Sequence, residues 1–263
     1  MARIADTFAR LRASGSPGLV AYVTAGDPDL ARTAEILVEL SNNGADVIEV
    51  GVPFSDPLAD GPVIQRASER ALASKTTLRG TLEMIGRTRA QVAAPIVLFT
   101  YVNPIVRMRE DAFVSAAAAA GVDGVLVLDL PVEEAGPFRD RLVRADLDPI
   151  FLLSPTTTDA RIRESGRLGR GFLYVISRLG VTGVRDRLAT DAEPLVRRIR
   201  AQSELPLALG FGISTPEQVA QVGQWADAAV VGSALVNVIA QHGASASVAA
   251  KAGEYVRWLK GQA

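Results

Sequence analysis

Carboxylates near the end of an apolar run are the side chains of this sequence best placed to do chemistry. Glu49 lies within the otherwise apolar run Val47–Val50, and Asp56 and Asp60 follow in a proline-rich loop. A carboxyl group in such a strand is partly desolvated, which raises its pKa toward values useful for proton transfer. The pattern predicts general acid–base catalysis by Glu49, and a buried ion pair with an arginine is the alternative.

Other kinds of catalysis lack their functional groups in this sequence. There are no cysteines, and the one histidine is His242, so thiolate sites and histidine-rich metal clusters are not expected. The lysines are Lys75, Lys251 and Lys260, and none of them ends a predicted strand. This argues against a Schiff-base aldolase or a pyridoxal enzyme, since both need a lysine nucleophile. We therefore expect neither a metal nor a cofactor in this chain.

Glycines after the last two apolar runs form a second pattern. Gly212 ends the seventh run, and Gly232 ends the eighth, where Gly232 and Ser233 open a helix. Glycines let backbone N–H groups approach a phosphate, and the helix N-terminus adds partial positive charge. The pattern predicts a phosphate site between these two loops, with ordinary tight turns as the alternative. The glycine-containing segment Ser177–Arg185 suits a lid over the substrate, although composition alone does not exclude a surface loop.

The elements that must position these residues are eight short β-branched or aliphatic runs with helical patterns between them. The runs are Leu19–Thr24, Asp46–Gly51, Pro95–Tyr101, Gly124–Asp129, Pro149–Ser154, Gly171–Ser177, Pro206–Gly212 and Ala228–Gly232. Several are continuously apolar, which is typical of parallel strands buried on both faces. Eight strand–helix units in about 250 residues are the usual size of a closed barrel. The sequence predicts an α/β fold, a (β/α)8 TIM barrel that forms one catalytic domain over residues 1–263.

Extra helices are expected around this barrel. Ile4, Phe8 and Leu11 recur at helical spacing and predict an amphipathic N-terminal helix over one end of the barrel. The long segment between the second and third strands has room for two helices. An open doubly wound sheet is the alternative fold, but Thr24–Pro28, the first strand-to-helix turn, is not a dinucleotide-binding glycine fingerprint.

Composition narrows the class of protein. The chain has 263 residues, 48% of them hydrophobic, and a formal net charge of −1. A charge so close to zero gives no long-range attraction to nucleic acid or to an anionic membrane. The N-terminal residues lack the unbroken apolar stretch of a secretory signal, and no segment is apolar enough to span a membrane. We expect a cytoplasmic protein that acts on a small molecule.

The segment from Ile48 to Pro62, IEVGVPFSDPLADGP, resembles the signature of the tryptophan synthase alpha chain family. The resemblance covers essentially the whole chain, with further blocks in the family's order. These blocks are Thr24–Pro28, Tyr101–Ile105, Asp129–Glu134, Leu153–Thr157, Ser177–Gly183 and Gly210–Ile213. The family fold is the barrel predicted above.

The resemblance implies a lyase reaction, the retro-aldol cleavage of indole-3-glycerol phosphate to indole and glyceraldehyde 3-phosphate. It implies that Glu49 is the general acid–base at carbon 3 of the indole, and that Asp60 binds the indole N–H and stabilises the positive charge on the ring. The residues implied to line the indole pocket or lie on the lid are Tyr22, Phe99, Leu128, Leu152, Tyr174, Thr182 and Phe211. Those implied to hold the phosphate are Gly183, Gly212, Gly232 and Ser233.

The resemblance also implies a partner, a beta chain that carries pyridoxal phosphate and receives the indole. The assembly would be a heterotetramer of two alpha and two beta chains, with Asp56 and Asn103 near the interface. One residue departs from the family pattern, because Phe99 stands where leucine or methionine is expected, which bears on the shape of the pocket.

Three other functions remain as alternatives to the alpha chain of a bifunctional synthase. A stand-alone indole-3-glycerol-phosphate lyase that releases free indole would share the catalytic blocks. A non-catalytic subunit that only activates a beta chain is disfavoured by the presence of both Glu49 and Asp60. A phosphosugar isomerase would have the phosphate loops but not the segment from Glu49 to Pro62.

Overall fold

A computed structural model describes residues 3–176, 192–210 and 212–262 of the chain. Within them, eight parallel strands pair in chain order, and β8 returns to pair with β1, so the sheet closes into a barrel. The strands are β1 (Gly18–Thr24), β2 (Val47–Gly51), β3 (Ile96–Thr100), β4 (Gly124–Val127), β5 (Asp148–Leu153), β6 (Leu173–Ile176), β7 (Leu207–Gly210) and β8 (Ala228–Val231). The predicted (β/α)8 barrel is confirmed.

Helices surround this barrel, and the extra helices expected from the sequence are among them. In the described part of the chain the α-helices are α1 (Arg3–Ser14), α2 (Leu30–Asn42), α3 (Pro62–Ala73), α4 (Leu78–Thr88), α5 (Val102–Met108), α6 (Glu110–Ala119), α7 (Gly136–Arg144), α8 (Asp159–Leu168), α9 (Ala192–Arg200), α10 (Pro216–Val222), α11 (Ser233–His242) and α12 (Val248–Leu259). The segment between β2 and β3 holds both α3 and α4, as its length predicts. None of the described helices is long and apolar enough to cross a membrane.

Local sequence explains where several of these helices begin. Asp29 caps α2 by accepting the backbone N–H of Arg32 at 2.8 Å. Thr215 and Gln218 form a capping box at the start of α10, with proline in the first turn. These side chains satisfy backbone N–H groups that the first helical turn leaves without a partner.

β4 ends two residues earlier than the sequence predicts. β4 stops at Val127, so Asp129 lies in the loop that follows rather than at the end of a strand. Its carboxylate accepts the backbone N–H of Val102 at 2.7 Å, at the start of α5. The side chain thereby ties the loop after β4 to the loop after β3.

The barrel interior is filled by alternate strand residues. Its lower layers contain Val20, Val47, Val97, Leu126, Ile150, Phe172, Ala208 and Ala228, joined by Ile4, Phe8 and Leu11 of α1. The rings of Phe8 and Phe172 lie 5.5 Å apart. Helix α1 therefore closes the N-terminal end of the barrel, and the next inward positions on the strands form the floor and walls of a mouth at the opposite end.

An aspartate precedes three of the even-numbered strands and ties each to its neighbour at the N-terminal end of the barrel. In every case the carboxylate accepts a backbone N–H from a residue of the preceding strand, whose carbonyl accepts the aspartate's own N–H. The pairs are Leu19 with Asp46 (2.8 Å), Ile96 with Asp123 (2.8 Å) and Leu207 with Asp227 (2.7 Å).

The fourth even-numbered strand lacks this arrangement for a chemical reason. Here Pro149 of β5 takes the position of the donor, and its carbonyl accepts the backbone N–H of Arg170 at 3.0 Å. Proline has no backbone N–H to donate, so an aspartate before β6 could not accept a hydrogen bond from Pro149.

Candidate active site

Glu49 lies on β2 and points into the barrel, where it is paired in register with Tyr22 of β1. Its side chain is fully buried, and neither carboxylate oxygen has a hydrogen-bond partner among the described residues. Burial without a counter-charge raises the pKa of Glu49 to about 8. At neutral pH the group therefore holds its proton and is ready to act as an acid. The described residues supply no arginine ion pair, the alternative left open by the sequence.

Asp60 lies in the loop after β2 and differs from Glu49 in its surroundings. It is half-buried, and the hydroxyl of Tyr101 donates a hydrogen bond to its Oδ2 at 3.1 Å. Burial raises the pKa of Asp60 to about 6, and the hydrogen bond from Tyr101 opposes that rise. The carboxyl group is therefore mostly ionised at neutral pH, so the two acids of this mouth differ in charge.

Tyr101, directly after β3, is a residue of this site that the sequence reasoning missed. Besides donating to Asp60, its hydroxyl oxygen accepts the backbone N–H of Ala59 at 3.2 Å. Its ring packs against Phe54, with the ring centroids 4.9 Å apart. Its place at the end of a strand on the C-terminal rim was the available signal, since such positions carry functional residues in barrels.

Three aromatic side chains form the wall of the mouth above the packed interior. The rings of Tyr22 and Phe99 meet edge to face at 5.2 Å, and those of Phe99 and Tyr174 lie 6.4 Å apart. Burial is the main cause that raises the pKa of both tyrosine hydroxyls, and the charges of Asp60 and Glu49 add to it. The structure thus brings both carboxylates and these rings into one site.

The remaining predicted pocket residues in the described part of the chain are two leucines. Leu128, just after β4, packs on the same interior cluster as Phe99 and Tyr174 do. Leu152 of β5 is paired in register with Tyr174. Thr182, Phe211 and the predicted lid Ser177–Arg185 lie outside the described residues.

Two strand glycines make room for the tyrosines. A Cβ atom on Gly51 would lie 2.1 Å from the hydroxyl oxygen of Tyr22, and one on Gly210 would lie 2.8 Å from that of Tyr174. Both distances are shorter than a non-bonded contact allows, so each glycine leaves the space that the hydroxyl end of the neighbouring tyrosine occupies. Neither glycine was predicted from the sequence to have this role.

The predicted phosphate residues lie at the same end of the barrel. Gly232 precedes α11, which opens with the buried Ser233, and no side chain caps the helix. The first backbone N–H groups of α11 are thus free of a side-chain acceptor, which suits an anion. Gly212 has a φ of 52°, a left-handed conformation that favours glycine. Gly183 lies outside the described residues.

The two residues predicted near a partner lie on the outside of this rim. Asp56 is exposed in the loop after β2 and accepts a hydrogen bond from Ser55 at 2.7 Å. Asn103 is exposed on α5. Large apolar side chains are exposed nearby in sequence, with Leu58 at 94% and Val106 at 55% of their surface.

A closed parallel barrel with two carboxyl groups and an aromatic wall at its C-terminal mouth is typical of a TIM-barrel enzyme. The family model of the tryptophan synthase alpha chain matches residues 8–261. The chain belongs to the tryptophan synthase alpha chain family.

Individual relatives agree with this assignment. The tryptophan synthase alpha chains of Geobacter sp. (strain M21) and Citrifermentans bemidjiense are 49% and 50% identical, each over 99% of this chain and 97% of the relative. The alpha subunit of Legionella pneumophila superposes with a TM-score of 0.89 at 38% identity, covering 100% of this chain and 98% of the other. A chain of Mycobacterium tuberculosis tryptophan synthase gives a TM-score of 0.91 at 35% identity, covering 99% and 98%.

Membership of this family confirms the function that the segment from Ile48 to Pro62 indicated. The chain is an alpha-chain lyase of tryptophan biosynthesis, and its reaction is the cleavage of indole-3-glycerol phosphate. The stand-alone lyase is not favoured by these relatives.

Proposed function

We propose that Glu49 and Asp60 carry out this cleavage, with the indole ring held against Tyr22, Phe99 and Tyr174. The observation that carries the proposal is the state of Glu49, a buried acid without a hydrogen-bond partner among the described residues and with a pKa of about 8. A group that is protonated at rest and becomes a base once it has given up its proton can serve both halves of a retro-aldol reaction.

In the first half, Glu49 donates its proton to carbon 3 of the indole. The electrons of the bond between carbons 2 and 3 form the new C–H bond, and the nitrogen lone pair forms a double bond to carbon 2. The ring then carries a positive charge on its N–H. Asp60, ionised at neutral pH, accepts a hydrogen bond from that N–H and stabilises the charge as it develops.

In the second half, Glu49 is a carboxylate and takes the proton of the hydroxyl group on the side-chain carbon attached to carbon 3. The O–H electrons form the aldehyde of glyceraldehyde 3-phosphate, and the bond between this carbon and carbon 3 breaks. Its electrons restore the aromatic ring and the nitrogen lone pair, which releases neutral indole. Glu49 regains its proton, so no cofactor of this chain is needed for the cycle.

We propose that the phosphate group lies at the N-terminus of α11. The N–H groups of Gly232 and Ser233, together with those of Gly212 and Gly183, would bind it, and the helix dipole favours its charge. Leu128, Leu152 and Phe211 would complete the apolar pocket, and Thr182 would lie above the bound substrate. All of these belong to one catalytic domain.

We propose that a pyridoxal-phosphate beta chain binds the outer rim near Asp56 and Asn103 and receives the indole, in a heterotetramer of two alpha and two beta chains located in the cytoplasm. Support comes from the relatives, since the solved Mycobacterium tuberculosis structure is of tryptophan synthase. Leu58, which is exposed in the same loop as Asp56 and Asp60, supplies apolar surface for such a contact.

Replacement of Glu49 by glutamine tests the assignment. The amide keeps the shape of the side chain but does not exchange the proton, so we expect the rate of indole release to fall by about 10²–10⁴-fold with an unchanged fold. The matched control is Glu83→Gln, the same change at an exposed position on α4, which should leave the rate unaltered. Near-normal turnover in Glu49→Gln would exclude Glu49 as the acid.

A further inference from the structure

Gln65 lies beside the site in the first turn of α3, and the mechanism above gives it no role. Its side-chain nitrogen donates a hydrogen bond to the backbone carbonyl oxygen of Asp60 at 2.9 Å. The same nitrogen lies 3.5 Å from the carbonyl oxygen of Pro57, a longer and weaker contact. One carboxamide therefore reaches back across the start of the helix to two carbonyls of the loop that carries Asp60.

These contacts are not needed for the helix itself. Helix α3 begins after Gly61, and the first helical hydrogen bond runs from the backbone N–H of Gln65 to the carbonyl of Gly61. The carbonyl of Asp60 lies outside the helical hydrogen-bond pattern. The side chain of Gln65 thus stabilises the position of the loop relative to the helix rather than the helix.

Asp60 is held from three directions, and Gln65 provides one of them. The backbone N–H of Asp60 donates to the carbonyl of Pro57 at 3.0 Å, and the Asp60 carboxylate accepts from Tyr101 at 3.1 Å. The bond to Pro57 stays within the loop, whereas Tyr101 and Gln65 belong to neighbouring elements. Tyr101 fixes the carboxylate, and Gln65 fixes the backbone that carries it.

Helix α3 is a firm reference for this purpose. Ile64 and Ala67 are buried in a cluster with Tyr22 and with Val236 of α11. The helix that carries Gln65 therefore packs against the wall of the indole pocket and the helix that opens at the phosphate site. The hydrogen bond from Gln65 relates the position of Asp60 to both.

We infer that Gln65 is a positioning residue for Asp60, holding its carboxylate where it meets the indole N–H as positive charge develops. The inference rests on the role proposed above for Asp60. Its consequence is a defect in the chemical step rather than in substrate binding, because the charge to be stabilised exists only during reaction. Misplacement of a catalytic group by about 1 Å can cost on the order of 10²-fold in rate.

The test uses Gln65→Met, which keeps the length of the side chain and removes the donor. For cleavage of indole-3-glycerol phosphate by the full chain, we expect kcat to fall by roughly tenfold, with KM within about twofold of normal and an unchanged Tm. The matched control is Gln221→Met, at an exposed position on α10 far along the chain, which should change none of the three quantities.

A double-mutant cycle with Asp60→Asn separates positioning from other causes. If Gln65 acts through Asp60, adding Gln65→Met to Asp60→Asn should cost little further activity. A full additional tenfold loss, or a lowered Tm with normal kcat in Gln65→Met alone, would overturn the inference. Normal kinetics of Gln65→Met beside an impaired Asp60→Asn would also overturn it while leaving the proposed function intact. An active Asp60→Asn would instead overturn the role of Asp60 itself.

Discussion

Glu49 and Asp60 have the same functional group, and their environments assign them different charges. The carboxyl group of Glu49, on a strand, has no hydrogen-bond partner among the described residues, whereas the carboxylate of Asp60 accepts a hydrogen bond from the hydroxyl group of Tyr101. Burial raises both pKa values, to about 8 for Glu49 and about 6 for Asp60. Between these values one group is protonated and the other ionised, which is the combination that the proposed reaction requires.

This difference predicts the pH dependence of the isolated chain. Below about pH 6 Asp60 gains a proton and loses the charge that stabilises the indole cation. Above about pH 8 Glu49 loses the proton that it must donate. We expect a bell-shaped profile of kcat/KM with its maximum between these limits, measured by indole release across the pH range.

Tyr101→Phe identifies the acidic limb of that profile. The variant keeps the ring that packs on Phe54 and removes the hydroxyl that holds the pKa of Asp60 down. The acidic limb should therefore move to higher pH while the basic limb, which belongs to Glu49, stays in place. A shift of the basic limb alone would contradict the assignment of the two groups.

At the scale of elements, Gly232 at the N-terminus of α11 allows an effect on ligand binding to be distinguished from an effect on folding. Gly232 precedes the helix with φ −112° and ψ −84°, and no side chain caps the N-terminus. A Cβ atom on Gly232 would lie 3.7 Å from its nearest neighbour, the Cβ of Tyr22, which is an ordinary contact. The fold has space for alanine there, so a penalty would come from the ligand.

We therefore expect Gly232→Ala to fold normally and to bind phosphorylated ligand more weakly. The added Cβ atom would keep the phosphate from approaching the backbone N–H groups. Loss of one hydrogen bond to a charged phosphate should raise KM by roughly tenfold or more. Glycerol 3-phosphate should raise the Tm of the wild type more than that of the variant.

The control is Gly136→Ala, at the start of α7, where an added Cβ meets nothing within 4 Å. Equal protection of Gly232→Ala and the wild type by glycerol 3-phosphate would place the phosphate elsewhere.

Elements with local signals were predictable, and contacts between distant elements were not. The apolar runs located all eight strands, and the spacing of Ile4, Phe8 and Leu11 predicted α1, because both patterns depend on neighbouring residues. Glu49 stood out as a charge in an apolar strand. Tyr101 and Gln65 did not, since their bonds to Asp60 depend on the path of the loop. Composition carries no information on that path.

At the scale of the whole molecule, we expect side chains at the end of the barrel opposite the catalytic mouth to contribute to stability. Asp123 accepts the backbone N–H of Ile96 at 2.8 Å and also pairs with Arg89 at 3.1 Å. The side chains of Asp123 and Arg89 are only 11% and 12% exposed. Removal of the carboxylate would therefore take a largely buried partner from the backbone N–H of Ile96 and from the guanidinium group of Arg89.

Asp123→Ala should consequently lower the free energy of unfolding by about 1–3 kcal/mol and leave kcat of the folded protein unchanged. Urea unfolding and the lyase assay measure the two effects separately. Asp123→Asn retains an acceptor for the N–H of Ile96 and should lose less stability. A stable Asp123→Ala variant with impaired turnover would show that this end of the barrel matters for catalysis instead.

The closed lower end of the barrel has a consequence for the order of events. Ile4, Phe8 and Leu11 of α1 fill the interior below the mouth, together with the inward strand residues. In the described part of the chain the barrel is therefore packed below the mouth, and at the proposed site indole would leave from the same end at which its precursor enters. A departing product and an incoming substrate would then compete for the C-terminal mouth of the barrel. A beta chain bound to that rim would receive each indole as it leaves the mouth, before the next substrate binds.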